Sequence, residues 1–443
     1  MSPHQIQKPN NRSLRYSYSK RTLENGVRFI QIGQKHLHRA SISVCFRAGS
    51  RFETPEENGL SHFLEHMVFR GTNKYPTSFE LNLAVESLGG TLYAATSPDS
   101  TEFEITLPSE SLAEGIRILA EIVRFPRYRE IEIERQVIAE EIREELDEHE
   151  KSIDIDYLSR RRLWPRDPLG QSITGPLENA LQFTKDDCER HRANCYVGNN
   201  AVVCLSGAYD ENEIGPVVEE AFSGLEPGTK QCISQAPTPG RGPTTFYHHR
   251  PGSQTHLRLA FHAPGAKDPD DIPLAILLGV LDDGMSTRLH KRIFEELGLA
   301  YNIGADLEIY PDTGAINIDA TASHGKIAEI SRQILDITSD LKNNLVTEEE
   351  IRKAQKREIW ALRSFLDDTH SMSTWYGEQE LHWQPQPLAE RIDAISKITR
   401  QDVMRVATRI FCLDNLHVTL VGVQDDKQLA RLPAADGRVL TFE

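Results

Sequence analysis

His62-Phe63-Leu64-Glu65-His66 decides how this chain is read. Two histidines and a carboxylate stand at i, i+3 and i+4, so on a helix all three project from one face. Two neutral imidazoles suit a divalent cation, and the carboxylate lies close enough to take a proton from water at that cation. Five residues of this kind also arise by chance on surface helices, so the flanking sequence matters. Asn58-Gly59 can open a helix. Leu60, Phe63, Leu64, Met67 and Val68 give it an apolar face, and Gly71 and Pro76 end it soon after Phe69. The motif is therefore predicted on a short amphipathic helix.

A catalytic zinc takes three protein ligands and leaves a fourth position for water. The third ligand is sought in the run from Ile131 to Ile142, IEIERQVIAEEI. At about 100° per residue, Ile131, Ile138, Ile142 and Leu146 share one apolar stripe. Glu140 points away from it, whereas Glu134 and Glu141 fall at its edge. A carboxylate facing a core needs a partner or a metal. Glu141 is thus the candidate ligand. Glu134, seven residues earlier on the same face, is the candidate to hydrogen-bond a ligand. Helical geometry alone also allows a plainly solvated helix, the reading that suits Glu132, Glu144 and Glu148.

Residues 62–75, HFLEHMVFRGTNKY, together with residues 134–142, ERQVIAEEI, resemble the pitrilysin/insulinase family of metallopeptidases, whose signature is the inverted H-x-x-E-H. The likeness is to the branch that contains the mitochondrial processing peptidase beta subunit and its bacterial relatives. It continues through Gly89-Gly90, Asp167-Pro168-Leu169-Gly170, Tyr196 to Gly207 and Gly298-Leu299-Ala300-Tyr301. The resemblance implies one Zn2+ per chain on His62, His66 and Glu141, with Glu65 as general base and Glu134 supporting the ligands. It implies that an extended peptide adds to a sheet edge after the paired glycines, at Tyr93, Ala94 and Ala95. The family usually has Asn-Ala where this chain has Tyr93-Ala94.

Relatives also use an Arg and a Tyr from across a chamber to hold the substrate carbonyl and oxyanion. Tyr301 matches the Tyr, but Phe294 stands where the Arg is expected, and Arg288 and Arg292 are out of register. Such a donor is worth ~3–4 kcal/mol, so a second chain is expected to complete the site. The family closes a clamshell from two halves, and this chain is one half. The resemblance therefore implies a heterodimer with a metal-less homologous subunit, or otherwise a homodimer. The expected activity is zinc-dependent endopeptidase cleavage of unfolded peptides. Alternatives are processing of one precursor or leader peptide, and a non-catalytic core subunit of a larger complex.

The chain reads as an internal duplication. Asn199-Asn200-Ala201-Val202-Val203-Cys204-Leu205-Ser206-Gly207 parallels Asp414-Asn415-Leu416-His417-Val418-Thr419-Leu420-Val421-Gly422. The predicted order of strands and helices also repeats: strands near 42–48, 91–96 and 102–107 with helices near 109–125 and 130–148, then strands near 256–262, 300–308 and 313–320 with helices near 271–282, 285–297, 325–343 and 347–367. Residues 226–245 are Pro- and Gly-rich and read as a linker. The expected fold is α+β: residues 1–225 and 246–443 form two homologous domains, each a mostly antiparallel sheet flanked by helices. In this register His62, Glu65 and His66 fall on Leu277, Val280 and Leu281, and Glu141 on Lys356, so only the first copy is built for metal.

Composition agrees. A chain of 443 residues suits two domains rather than one. No apolar run approaches the ~20 residues of a membrane span. No secretory signal pattern opens the chain, so a cytoplasmic location is expected, or the mitochondrial matrix if a transit peptide has been removed. The six cysteines are scattered without a CxxC and read as free thiols of a reducing compartment. The net charge of −16 argues against nucleic-acid binding. It suits encounters with basic peptides, or solubility alone. His36, His38, His248, His249 and His382 have no partner at ligand spacing and are not read as ligands.

Overall fold

The computed structural model describes residues 14–233, 237–433 and 439–440, so part of the predicted linker, 234–236, lies outside the described residues. One six-stranded sheet contains β1 (Ser17–Thr22), β2 (Arg28–Gly33), β3 (Arg39–Phe46), β4 (Thr91–Thr96), β5 (Thr101–Pro108) and β6 (Ala201–Gly207), in the order β1-β2-β6-β3-β5-β4. The other contains β7 (Thr244–His249), β8 (Thr255–Ala263), β9 (Asn302–Ile309), β10 (Gly314–Ala322), β11 (Leu416–Gly422) and β12 (Val439–Leu440), in the order β12-β7-β11-β8-β10-β9. From β2 to β4 and from β7 to β9 the two orders are the same. Each has one parallel pair, β2 with β6 and β7 with β11, followed by antiparallel neighbours. The copies differ at the far edge, where β1 is antiparallel to β2 but β12 is parallel to β7. The fold is α+β, as expected.

Both faces of each sheet are covered, so every residue of β6 and β11 is buried, including His417 and Thr419. Val203 and Leu205 of β6 enter the core beneath the motif helix, Leu60–Val68, whereas Val202 and Cys204 enter the second large core. The far faces are covered by exchange. Helix Thr369–His382, from the second half, lies on β3 and β6; helix Ile155–Leu163, from the first, lies on β8 and β11. Leu158 there packs with Phe246 and Val421, while Arg258 of β8 pairs with Asp156 and Asp319.

In the second copy, Leu277, Val280 and Leu281 are buried in helix Asp271–Leu281, which packs on helix Glu348–Ser364, the carrier of exposed Lys356. Apolar packing there takes the place of ligands. Two predicted helices differ in detail. The one expected over 130–148 stops at Glu144, because Asp147 accepts the backbone N–H groups of His149 and Lys151 and turns the chain. The one expected over 285–297 is wound as a π-helix over His290–Glu296. Among the described residues, no helix is long and apolar enough to cross a membrane.

The seam between helix Thr369–His382 and the first sheet is polar. Ser41 meets Thr369 at 2.8 Å, Ser43 meets Ser373 at 2.7 Å, Thr374 donates to Glu102 at 3.2 Å, and His370 donates to Glu104 at 2.8 Å. The hydrogen bond to Glu104 holds the His370 imidazole up at about 9. Burial, reinforced by Glu378 and Glu104, pushes the Glu102 carboxyl up to about 8. An unfolded His titrates near 6.5 and an unfolded Glu near 4.3. The stabilisation from His370 is thus complete below about pH 6.5 and lost as pH rises to about 9; burial of Glu102 costs stability progressively from about pH 4.3 to about 8. The folded chain is expected to lose thermal stability between pH 6 and 9. His370→Ala should lower the unfolding midpoint more at pH 6 than at pH 9.5; an equal drop at both would remove the ion pair from the account.

Candidate metal centre and active site

The motif helix buries Leu60, Phe63, Leu64, Met67 and Val68 completely, the five residues named from its pattern. That anchoring turns His62, Glu65 and His66 toward helix Ile131–Glu144, which presents Glu141. His62 Nε2 lies 3.5 Å from one Glu141 carboxylate oxygen and His66 Nε2 lies 3.7 Å from the other. The donor atoms of His62, His66 and Glu141 all fall within 4.8 Å of one another, the only such group among the described residues. A tetrahedral zinc with bonds of about 2.0–2.1 Å separates its ligands by about 3.3 Å, so the three fit that cation. The charge fits as well. Glu65, Glu134 and Glu141 gather here, and the one arginine among them, Arg70, is bound to Glu134 and Glu130. Glu141 is 42% exposed, which leaves a side open to solvent.

Glu134, only 5% exposed, accepts from His66 Nδ1 at 2.8 Å and from Arg70 Nε. A carboxylate can only accept, so the His66 proton sits on Nδ1 and leaves the Nε2 lone pair for a metal. Burial pushes Glu134 up, but the hydrogen bonds from His66 and Arg70 outweigh it and hold the carboxyl below its ordinary range. Glu141 is held low by His62, against the opposing effect of burial. Glu134 is thus placed as the supporting acceptor. Arg70 lies four residues after His66, just past the end of the motif helix, where the helical period no longer marks it. Arg70→Ala should weaken zinc binding about tenfold or more by leaving Glu134 with His66 alone. Chelator competition measures this, and unchanged affinity would show that Arg70 does not matter to the ligand.

Glu65 stands outside the ligand group and accepts from Thr96 Oγ1 at 3.1 Å. Thr96 ends β4, whose other neighbour position is empty among the described strands, so β4 offers a free edge. Tyr93, Ala94 and Ala95 all lie on this edge strand. Ala94 packs toward the first core, while Tyr93 is 48% exposed and meets His370 edge-to-face at 5.5 Å, on the opposite side. Thr96, and not Tyr93, is therefore the strand residue brought onto Glu65; strand alternation places Ala94 and Thr96 on one face. Tyr301 is not brought to the site. It precedes the edge strand β9 and is 79% exposed. Phe294 is also exposed. Arg288 is engaged by Glu350 and Asp340, and Arg292 by Gln333 and Glu296.

A donor triad that fits a cation, a carboxylate beside it and a free sheet edge thus meet at one place. Residues 29–177 match the Insulinase (Peptidase family M16) model, and residues 182–358 match the Peptidase M16 inactive domain model. An uncharacterized zinc protease of Mycobacterium leprae is 27% identical over 395 residues, covering 88% of each chain. A probable mitochondrial-processing peptidase subunit beta of Arabidopsis thaliana is 26% identical, covering 96% of this chain and 82% of its own. The crystal structure of a protease from Helicobacter pylori superposes with a TM-score of 0.84 at 20% identity, covering 92% of this chain and 100% of that one. The chain belongs to the M16 insulinase family of peptidases, and its fold is that of one half of the family's clamshell.

Proposed function

We propose that this chain is the catalytic half of a zinc endopeptidase that cleaves unfolded peptides in a chamber closed by a second subunit. The observation that carries this reading is the convergence of His62, His66 and Glu141 beside Glu65 and the free edge of β4. An extended peptide adds to β4 through backbone hydrogen bonds, which hold it without reading its sequence. Glu65 accepts the proton of the attacking water and returns it to the leaving amine. Glu134 and Arg70 hold His66 in the tautomer that the site needs. Zinc bound to the triad supplies Lewis acidity at the scissile carbonyl and lowers the pKa of water to about 7.

A second reading is a processor of one precursor. It is favoured by the Arabidopsis relative, a probable processing peptidase subunit that matches nearly the whole chain. The words subunit beta in that relative's name support work alongside a second, different chain. The test is zinc content per chain, followed by cleavage of a mixed peptide pool and of one presequence-bearing precursor, before and after chelation. One zinc and chelator-sensitive cleavage of the pool support the endopeptidase. Cleavage of the precursor alone supports the processor. No bound zinc and no cleavage of either substrate would leave the non-catalytic subunit standing.

A further inference from the structure

The motif helix has an unusual start. It opens at Gly59, whose φ of 96° is left-handed, and none of its own side chains caps it. A side chain at position 59 is ruled out twice: the backbone is strained for any L residue, and a Cβ would meet Thr174 O at 2.4 Å. The free amides of the first turn are met from upstream instead. Glu53 accepts from Gly59 N–H at 2.8 Å, from Ser61 N–H at 2.6 Å and from Asn58 Nδ2 at 3.2 Å. Glu53 is 4% exposed, and burial pushes its carboxyl up while these hydrogen bonds oppose the shift. Its segment is fixed at the other end, where Arg51 donates to both Asp312 carboxylate oxygens at 2.9 and 2.8 Å and its N–H to Pro98 O at 2.7 Å.

Ser61, which takes the shortest of these contacts, directly precedes His62. A nine-residue helix has few internal hydrogen bonds, so its first turn frays readily once its amides lose their acceptor. A charged acceptor at the N-terminus also opposes the positive end of the helix dipole. The first turn here carries a ligand, and fraying it would move His62 Nε2 away from His66 and Glu141.

We propose that Glu53 is a positioning residue for the metal centre, its carboxylate holding the first turn of the motif helix and through it the place of His62. This rests on the metal-centre reading above. Zinc dissociation constants, by competition with a chromogenic chelator, and unfolding midpoints of the metal-free chain are compared for wild type, Glu53→Gln and Thr347→Ala. Thr347 caps a distant helix by accepting from Glu350 N–H at 3.1 Å, so Thr347→Ala reports cap loss alone. Glu53→Gln turns one acceptor toward a donor. It is expected to weaken zinc binding about ten- to a hundredfold, with KM unchanged and kcat recovered at saturating zinc. Thr347→Ala should lower the midpoint and leave zinc affinity within about twofold of wild type.

Wild-type zinc affinity in Glu53→Gln, with only the midpoint lowered, overturns the proposal. Should Glu53→Gln not fold, Glu53→Asp keeps the charge with a shorter reach; wild-type affinity in that variant overturns it equally. A wild-type chain that takes up no zinc overturns the metal-centre reading itself, a result distinct from either.

Discussion

Glu65→Gln is expected to bind one zinc per chain as tightly as the wild type and to cleave the peptide pool about 10²–10⁴-fold more slowly. Metal retention follows from position. Glu65 is not among the three converging donors, and glutamine keeps its length and an amide oxygen that can still accept from Thr96 Oγ1. The residue is half-buried at the margin of the helix, so the apolar face formed by Leu60, Phe63, Leu64, Met67 and Val68 is left as it was. What changes is proton affinity: an amide cannot take the proton that the attacking water must shed. Zinc content and initial rates on the same preparation separate the two effects. Near-normal cleavage would assign the base to another residue, and loss of zinc would make Glu65 part of the ligand set.

Local signals made part of this site legible in the sequence. The motif helix, its five buried residues and the convergence of Glu134 and Glu141 all follow from a 3.6-residue period within two short segments. The duplication is legible for a similar reason: β6 and β11 are both preceded by an Asn, end in Gly and share apolar positions, and they sit at equivalent places in the two sheets. What escaped is what depends on distance along the chain. Glu53 caps its helix from upstream of Asn58, outside the spacing of a capping box. Thr96 reaches Glu65 across 31 positions. The helix exchange is hidden as well. Thr369, Ser373 and Gly377 make a small, mostly polar stripe that reads as a surface, yet it docks on Ser41, Ser43, Cys45 and Cys204 of the other half. Where a face is complementary to serines rather than to leucines, hydropathy does not mark it.

The zinc-loaded chain alone is expected to cleave the pool about 10²–10³-fold more slowly than it does with a metal-less M16 homologue from the same organism added. The reason lies in which cations are free. Where relatives place an arginine over the developing oxyanion this chain has Phe294, 41% exposed and on a π-wound turn. The nearby guanidiniums have partners within their own half, Arg288 with Glu350 and Asp340 and Arg292 with Gln333 and Glu296. Tyr301 is exposed at the mouth of β9 rather than beside Glu65, as suits a residue that faces another subunit. Phe294→Arg discriminates between the assemblies. If two copies of this chain close the chamber, the new guanidinium faces the metal centre of the other copy and the isolated chain gains about tenfold or more. If a metal-less homologue closes it, the homologue supplies the donor and the mixed complex is indifferent to Phe294→Arg. An isolated chain already as fast as the mixture, and silenced by Glu65→Gln, would sink the heterodimer: the oxyanion would then be held without an arginine at position 294.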